Sequence, residues 1–207
     1  DFPIYGEIFD SNPLTTAQFV RNQAFPGVLD FAFQSNVTAY VTNGRGAEKL
    51  VELFNADDLY TTSTTSAYGL TTFLGNHDMG RIGMFIDNAA SDEADALAKS
   101  KLANALLFLV RGGPALYYGD EKGMIGSGGD KAARQDMFPT QVSYWQDEKR
   151  IGSDPIGTRS AFDVRNPLED QITSMQAIIK ANPALRSGTQ QIRFNNSEVF
   201  AVTRYLN

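Results

Sequence analysis

The stretch that most constrains this chain is an apolar run that ends abruptly in Asn76-His77-Asp78. Phe73 and Leu74 are typical of the end of a strand that is buried on both faces, where hydrophobic character is continuous. The polar triplet follows directly, at the position where α/β folds place their chemistry. His77 is the single histidine of the sequence, and its place between Asn and Asp at a strand end favours a functional role over a structural one.

Composition excludes several classes of function. A chain of 207 residues with 42% hydrophobic and 20% charged residues is typical of a folded protein with a substantial core. The net charge of -6 and the lack of a dense Lys/Arg run argue against nucleic acid as a partner. The absence of cysteine excludes disulfides, thiol catalysis and thiolate metal sites. No apolar run reaches the roughly eighteen residues that a membrane span requires.

Strand-like and helix-like segments alternate along the chain, which predicts a parallel α/β layout with right-handed crossovers. Strands are expected near residues 3–9, 28–33, 71–76 and 115–119. These patterns alone are compatible with an open doubly wound sheet or with part of a barrel. No glycine-rich phosphate loop follows any of the strands, so nucleotide binding has little support.

Helices are predicted over residues 46–57, from Ser91 to Leu109 and from Asn166 to Asn182, whereas 11–26 should be a loop with at most a short helix. Each of the two longer helices should bury one apolar stripe. The expected stripes are Leu102, Leu106 and Leu109, with Ala98 and Ala105 on or near the same face, and Leu168, Ile172, Met175 and Ile179. Beyond the last helix, a turn at Asn195-Asn196 between two apolar runs predicts a hairpin.

The segment 123–165 is long, lacks strong periodicity and is glycine-rich at Gly126-Ser127-Gly128-Gly129-Asp130. Loops of this length in a compact domain tend to be functional. The segment also carries Tyr144 and Trp145, which could stack on a sugar ring or simply pack the loop down; packing is the favoured interpretation.

Several segments, in chain order, resemble motifs of the alpha-amylase family of glycoside hydrolases. Gly6-Glu7-Ile8-Phe9-Asp10 is similar to the family's strand-five motif, Val28-Leu29-Asp30-Phe31 to strand six, Phe73-Leu74-Gly75-Asn76-His77-Asp78 to strand seven, and the run from Gly112 to Gly123 to strand eight. The segment from Asp130 to Phe138 resembles part of the following loop in some amylases. The resemblance covers Ile4 to Tyr205 and implies a (β/α)8 TIM-barrel type fold with only strands five to eight present.

The same resemblance implies a domain division. Residues 1–184 would be the C-terminal half of the catalytic barrel, and residues 185–207 the start of a truncated C-terminal all-β domain. Because the sequence begins at Asp1 as if within a strand, we expect a fragment or processed piece of a longer protein. A half-barrel exposes two strand edges, so pairing with the missing N-terminal half or with a second copy is expected. Exported family members favour an extracellular or periplasmic location, which the sequence itself leaves open.

The resemblance also assigns roles to four residues of these motifs. Glu7 would be the general acid/base, and Asp78 the carboxylate that binds ring hydroxyls and favours the distorted, oxocarbenium-like sugar. His77 and Asn76 would bind the same sugar. Arg81 is grouped with the substrate-binding residues, and it is expected to pair with a carboxylate near the site.

The implied reaction is retaining cleavage of α-1,4-glucosidic bonds in starch, glycogen or maltooligosaccharides. The motif that carries the family's nucleophilic Asp is not found ahead of Glu7, so the chain alone is expected to be inactive. A glucanotransferase of the same family shares these motifs, and a non-catalytic carbohydrate-binding or assembly fragment is the alternative from another class. No cofactor or metal is expected within this chain, although calcium is possible in the complete protein. The implied partner is an α-glucan, with no nucleic acid and no membrane.

Overall fold

A computed structural model describes residue 2, residues 4–44 and residues 46–206. Its α-helices are α1 (Pro13–Asn22), α2 (Phe31–Asn43), α3 (Glu48–Asn55), α4 (Ile82–Ala89), α5 (Glu93–Leu109), α6 (Ser143–Gln146), α7 (Pro167–Ala181) and α8 (Pro183–Ser187). Its strands are β1 (Thr71–Phe73), β2 (Gly113–Ala115), β3 (Thr189–Asn195) and β4 (Phe200–Tyr205). Pro3, where the first predicted strand begins, lies outside the described residues. No helix among the described residues is both long and apolar enough to cross a bilayer.

The chain divides into two compact units, which are described separately. The first unit comprises residues 1–73, 106–115 and 179–207. The second unit comprises residues 74–105 and 116–178.

Parallel pairing in the first unit follows the order of the predicted strands. Gly6 forms a single parallel bridge with Val28, and Leu29 forms another with Thr71. β1 then pairs in parallel with β2, with Thr71 opposite Gly113. The predicted parallel layout is therefore confirmed, although only β1 and β2 are long enough to count as strands.

The predicted strand over residues 28–33 is wrong beyond Leu29, because α2 begins at Phe31. Asp30 ends the extended segment: its side chain accepts a hydrogen bond of 2.9 Å from the Phe33 amide and caps the helix. A short buried apolar run does not distinguish a strand from a buried helix, which explains the error.

The other predicted strands are shorter than expected or displaced. The segment around Gly6 contributes one bridge rather than a strand. β1 ends at Phe73, three residues before Asn76. β2 occupies residues 113–115, so it ends where the predicted strand over 115–119 was to begin.

Two helices, α1 and α5, differ from expectation. The segment over residues 11–26 contains the ten-residue helix α1, capped by the Asn12 side chain, which accepts from the Leu14 amide at 3.0 Å. α5 was predicted to begin at Ser91 but begins at Glu93, and Asp92 caps its first turn by accepting from the Asp95 amide at 2.8 Å.

The predicted stripe of α5 is wrong in part. Leu106 is buried, but Leu102 is 41% exposed and Ala98 is also exposed. The buried hydrophobic residues of this helix are Ala96, Ala103, Leu106 and Leu107. The helix has apolar residues on more than one face, so spacing alone selected the wrong one. In α7 the predicted Leu168, Ile172 and Met175 are buried and Ile179 is half-buried.

The predicted hairpin is confirmed: β3 and β4 pair antiparallel, with Ile192 opposite Val202. It belongs to the first unit, where the Phe200 ring stacks on Phe54 with centroids 5.6 Å apart. The Gln190 side chain accepts a hydrogen bond of 2.8 Å from the Arg111 amide. The hydrophobic core of this unit includes a cluster of Ala17, Val20, Val28, Tyr60, Ala67 and Leu70.

Candidate active site

A tight turn over residues 76–80, in the second unit, carries the polar triplet. Asn76 and Gly80 exchange both backbone hydrogen bonds, at 2.9 and 3.2 Å. The Asn76 side-chain oxygen accepts from the amides of Asp78 and Met79, both at 3.0 Å. Gly80 has a φ of +97°, a conformation that favours glycine. Asn76, predicted as a sugar ligand, thus also fixes the shape of the turn that carries its neighbours.

His77 and Asp78 lie on this turn with accessible side chains. Their side chains are 35% and 45% exposed, and His77 Nε2 lies 3.5 Å from Asp78 Oδ1. The turn therefore holds the backbone of the two residues while their polar atoms remain open to a ligand. Their predicted roles stay predictions.

The glycine-rich segment over residues 126–130 packs backbone to backbone against the turn. Gly80 forms an antiparallel bridge with Ser127. Three further hydrogen bonds join the two segments: Arg81 N–H to Gly126 O, Gly129 N–H to Asp78 O and Asp130 N–H to His77 O, each 3.0 Å long. A Cβ atom added to Gly128 would lie 2.5 Å from Asp78 O, so this approach requires glycine.

Asp130 joins His77 and Asp78 in a group whose potential metal-ligand atoms all lie within 4.8 Å of one another. Asp130 is already paired with Arg134 at 2.6 Å, and that guanidinium holds the pKa of Asp130 below its usual value. Calcium takes six to eight oxygen ligands, and an imidazole with two carboxylates, one of them engaged, does not supply such a set. The group therefore does not fit calcium.

Arg81 ends the turn, and its side chain is fully buried in the second unit. Its guanidinium forms an ion pair of 2.9 Å with Asp120, which fulfils the expectation of a carboxylate partner. Burial raises the pKa of Asp120 to about 7, and the neighbouring guanidinium opposes part of that rise. Because the side chain is buried and donates four hydrogen bonds to protein acceptors, the geometry favours a structural role over the predicted contact with substrate.

Three residues of this region were not among the predicted site residues. Asp120 follows β2 by five residues, and its place after a strand was a usable signal. Asp130 lies in the glycine-rich segment, whose length and composition predicted a function. Gln135 accepts from Arg81 Nε at 2.8 Å and donates to Glu148 at 2.8 Å, and no sequence pattern distinguished it.

Glu7 lies in the first unit, immediately after the bridge between Gly6 and Val28. Backbone hydrogen bonds from Gly6 to Gly27 and from Leu29 to Gly6, at 3.0 and 2.9 Å, hold this segment. Glu7 itself is exposed. Its carboxylate is thus accessible to a ligand from a backbone position fixed by parallel pairing.

Parallel segments with polar side chains after their ends, as at Glu7 and Asp78, are typical of α/β enzymes. The model of the alpha-amylase catalytic domain matches residues 1–201, and the chain belongs to this family, whose members have TIM-barrel catalytic domains.

Comparisons with individual proteins agree with the family. An alpha-amylase of Streptomyces lividans is 42% identical over 99% of this chain, which spans 23% of that protein. A cyclomaltodextrin glucanotransferase of Bacillus sp. (strain 17-1) is 29% identical over 90% of this chain, which spans 24% of it. The crystal structure of an Anoxybacillus alpha-amylase matches with a TM-score of 0.75 and 22% identity, covering 100% of this chain and 39% of that one. The chain thus spans about a quarter of the length of these two curated relatives.

Proposed function

We propose that this chain is part of an alpha-amylase-like glycoside hydrolase that cleaves α-1,4-glucosidic bonds in starch, glycogen or maltooligosaccharides with retention of configuration. The observation that supports this most directly is the family match over residues 1–201, which includes both Glu7 and the Asn76–Gly80 turn. Within the family, residues 1–184 would form strands five to eight of the barrel, and 185–207 would begin an all-β domain. Calcium in the complete protein would be held by residues outside this chain.

Glu7 is proposed as the acid/base. As an acid it would protonate the glycosidic oxygen while a nucleophilic carboxylate attacks the anomeric carbon and the C–O bond breaks. As a base it would then remove a proton from the water that hydrolyses the glycosyl-enzyme. Asp78 and His77 would bind ring hydroxyls and favour the distorted sugar, so their interactions would strengthen in the transition state.

The test is a set of carboxylate substitutions in the full-length protein, assayed on maltooligosaccharides. Glu7→Gln should lower kcat about 10²- to 10⁴-fold, because the amide cannot donate the proton. The matched control is Glu52→Gln, since Glu52 is an exposed glutamate on α3 in the same unit. Activity of Glu7→Gln equal to that of the control would exclude the acid/base role. The anomeric configuration of the first product, followed by NMR, tests retention.

The 207 residues alone should show no turnover, because the family motif that carries the nucleophile is not among them. Turnover by the isolated chain would contradict this part of the proposal.

A second candidate function is transfer rather than hydrolysis. Several relatives are named cyclomaltodextrin glucanotransferases, including one that is 29% identical to this chain. Product analysis separates the two activities: linear maltooligosaccharides indicate hydrolysis, whereas cyclic dextrins or longer chains indicate transfer.

A further inference from the structure

The buried guanidinium of Arg81 connects distant segments of the second unit. Its four hydrogen bonds go to Gln135 Oε1 (2.8 Å), Tyr118 O (2.5 Å), Asp120 Oδ1 (2.9 Å) and Ala133 O (3.0 Å). The side chain is fully buried, so water does not compete with these acceptors for its N–H groups. The region after β2 and the region after the glycine-rich segment are thus held by one planar group.

Two adjacent tyrosine rings pack against this guanidinium. Its carbon lies 4.5 Å from the centroid of the Tyr117 ring and 5.0 Å from that of Tyr118. Cation–π contacts of this kind suit the flat guanidinium of Arg. These contacts add to the hydrogen bonds that hold the buried guanidinium.

The backbone of Arg81 belongs to the turn that carries His77 and Asp78. Its amide donates to Gly126 O at 3.0 Å, beside the bonds that attach Gly129 and Asp130 to the turn. The side chain fixes residues 133–135, which continue the same loop. One residue therefore holds both ends of the 126–135 loop against the turn.

We infer that Arg81 is a positioning residue, which sets the place of the His77–Asp78 turn through the 126–135 loop and so controls turnover more than substrate binding. This inference rests on the proposed function, in which Asp78 acts on the distorted sugar. A displacement of about 1 Å in such a site can cost about 10²-fold in rate. Loss of an interaction made in the transition state lowers kcat, with little change in KM.

The experiment compares Arg81→Lys with Arg111→Lys in the full-length protein. Lys has no planar fork and cannot reach four acceptors at once. Arg111 is a matched control because it is also buried, at 1% exposure, and pairs with Asp30 and Asp57 in the first unit. We expect a 10- to 100-fold lower kcat for Arg81→Lys, with KM within threefold of the parent. For Arg111→Lys we expect kcat per folded molecule within twofold of the parent.

Hydrogen exchange supplies a readout that does not depend on activity. The amides of Gly129 and Asp130 donate to the turn, and they should exchange at least tenfold faster in Arg81→Lys. The amides of the β3–β4 hairpin should exchange at the parent rate. Unchanged exchange at Gly129 and Asp130, or equal loss of kcat in both lysine variants, would overturn the inference.

Two further outcomes separate this inference from the function on which it rests. An inactive parent would reject the proposed function, while the exchange measurement would still test the positioning role. If Arg81→Lys does not fold, Gln135→Met removes one acceptor of the guanidinium and should lower kcat three- to tenfold. Parent-like kcat and exchange in Gln135→Met would then overturn the inference.

Discussion

Asp120 shares a buried ion pair with Arg81, and its side chain is 3% exposed. Burial disfavours the charged form of a carboxyl group, while the guanidinium favours it. In this pair burial is the larger influence and raises the pKa of Asp120 to about 7. In the sequence, Asp120 is only a carboxylate that follows a strand. In the structure, its burial makes the stability of the protein depend on pH.

The pH dependence of stability tests this residue. Asp120 holds its proton more tightly in the folded protein than in the unfolded chain. Its contribution to the free energy of unfolding is therefore full below pH about 4 and is lost as the pH rises through about 7. In this window the parent should lose more free energy of unfolding than Asp120→Asn, which cannot titrate. Urea unfolding at intervals between pH 4 and pH 7 measures both curves. Parallel curves would contradict the assignment.

The turn over residues 76–80 and the glycine-rich segment over 126–130 act together as one element. Their contact is mostly between backbone atoms, so it depends on small residues more than on side-chain chemistry. Gly128 is the point of closest approach, because a Cβ there would overlap Asp78 O and Met79. The length of the loop predicted a function for it, and packing against the turn gives that prediction a physical basis.

Gly128→Ala should separate the two segments and lower kcat/KM about tenfold or more. The matched control is Gly157→Ala, also in the second unit, where φ is +60° and nothing lies within 4 Å of the added Cβ. Backbone strain should destabilise that control by about 1 kcal/mol while its kcat/KM stays within twofold of the parent. Steady-state kinetics with thermal unfolding measures both variants. Equal kinetic effects would show that the close approach at Gly128 does not matter.

On the scale of the whole chain, stability depends on contacts between segments that are far apart in sequence. In the first unit Arg111 joins three such segments: it pairs with Asp30 and Asp57, each at 2.6 Å, and its amide donates to Gln190. Asp30 also caps α2, so one carboxylate serves both a local and a distant contact. The hairpin is thereby attached to the helices and parallel segments of its unit.

Two substitutions of Asp30 separate these contacts. Asp30→Asn keeps a cap but removes a charge beside a buried guanidinium, and it should lower the free energy of unfolding by about 3 kcal/mol. Asp30→Ala also removes the cap and should cost about 1 kcal/mol more. Asp58→Ala, at an exposed position of the same unit, should change stability by less than about 0.5 kcal/mol. Urea unfolding followed by circular dichroism measures all three, and similar values for Asp30→Asn and Asp58→Ala would disprove the role of the ion pair.

Sequence signals were sufficient to predict the family, the parallel layout, the start of α7 and the hairpin. These features depend on local signals: motifs in fixed order, the Asn166-Pro167 helix start, and a turn between apolar runs. The roles of Glu7, Asp78, His77 and Asn76 remain predictions from the same motifs. The start of α2 at Phe31 depends on tertiary packing, because an apolar run fits a buried helix as well as a buried strand.

Tertiary structure also decided the role of Arg81. Its partners lie 37 to 54 residues away along the chain, and no local pattern encodes which acceptors a guanidinium will meet. The motif that opens at Phe73 identified the turn and its polar residues. The buried guanidinium of Arg81 holds that turn in place, together with the glycines that allow residues 126–130 to approach it.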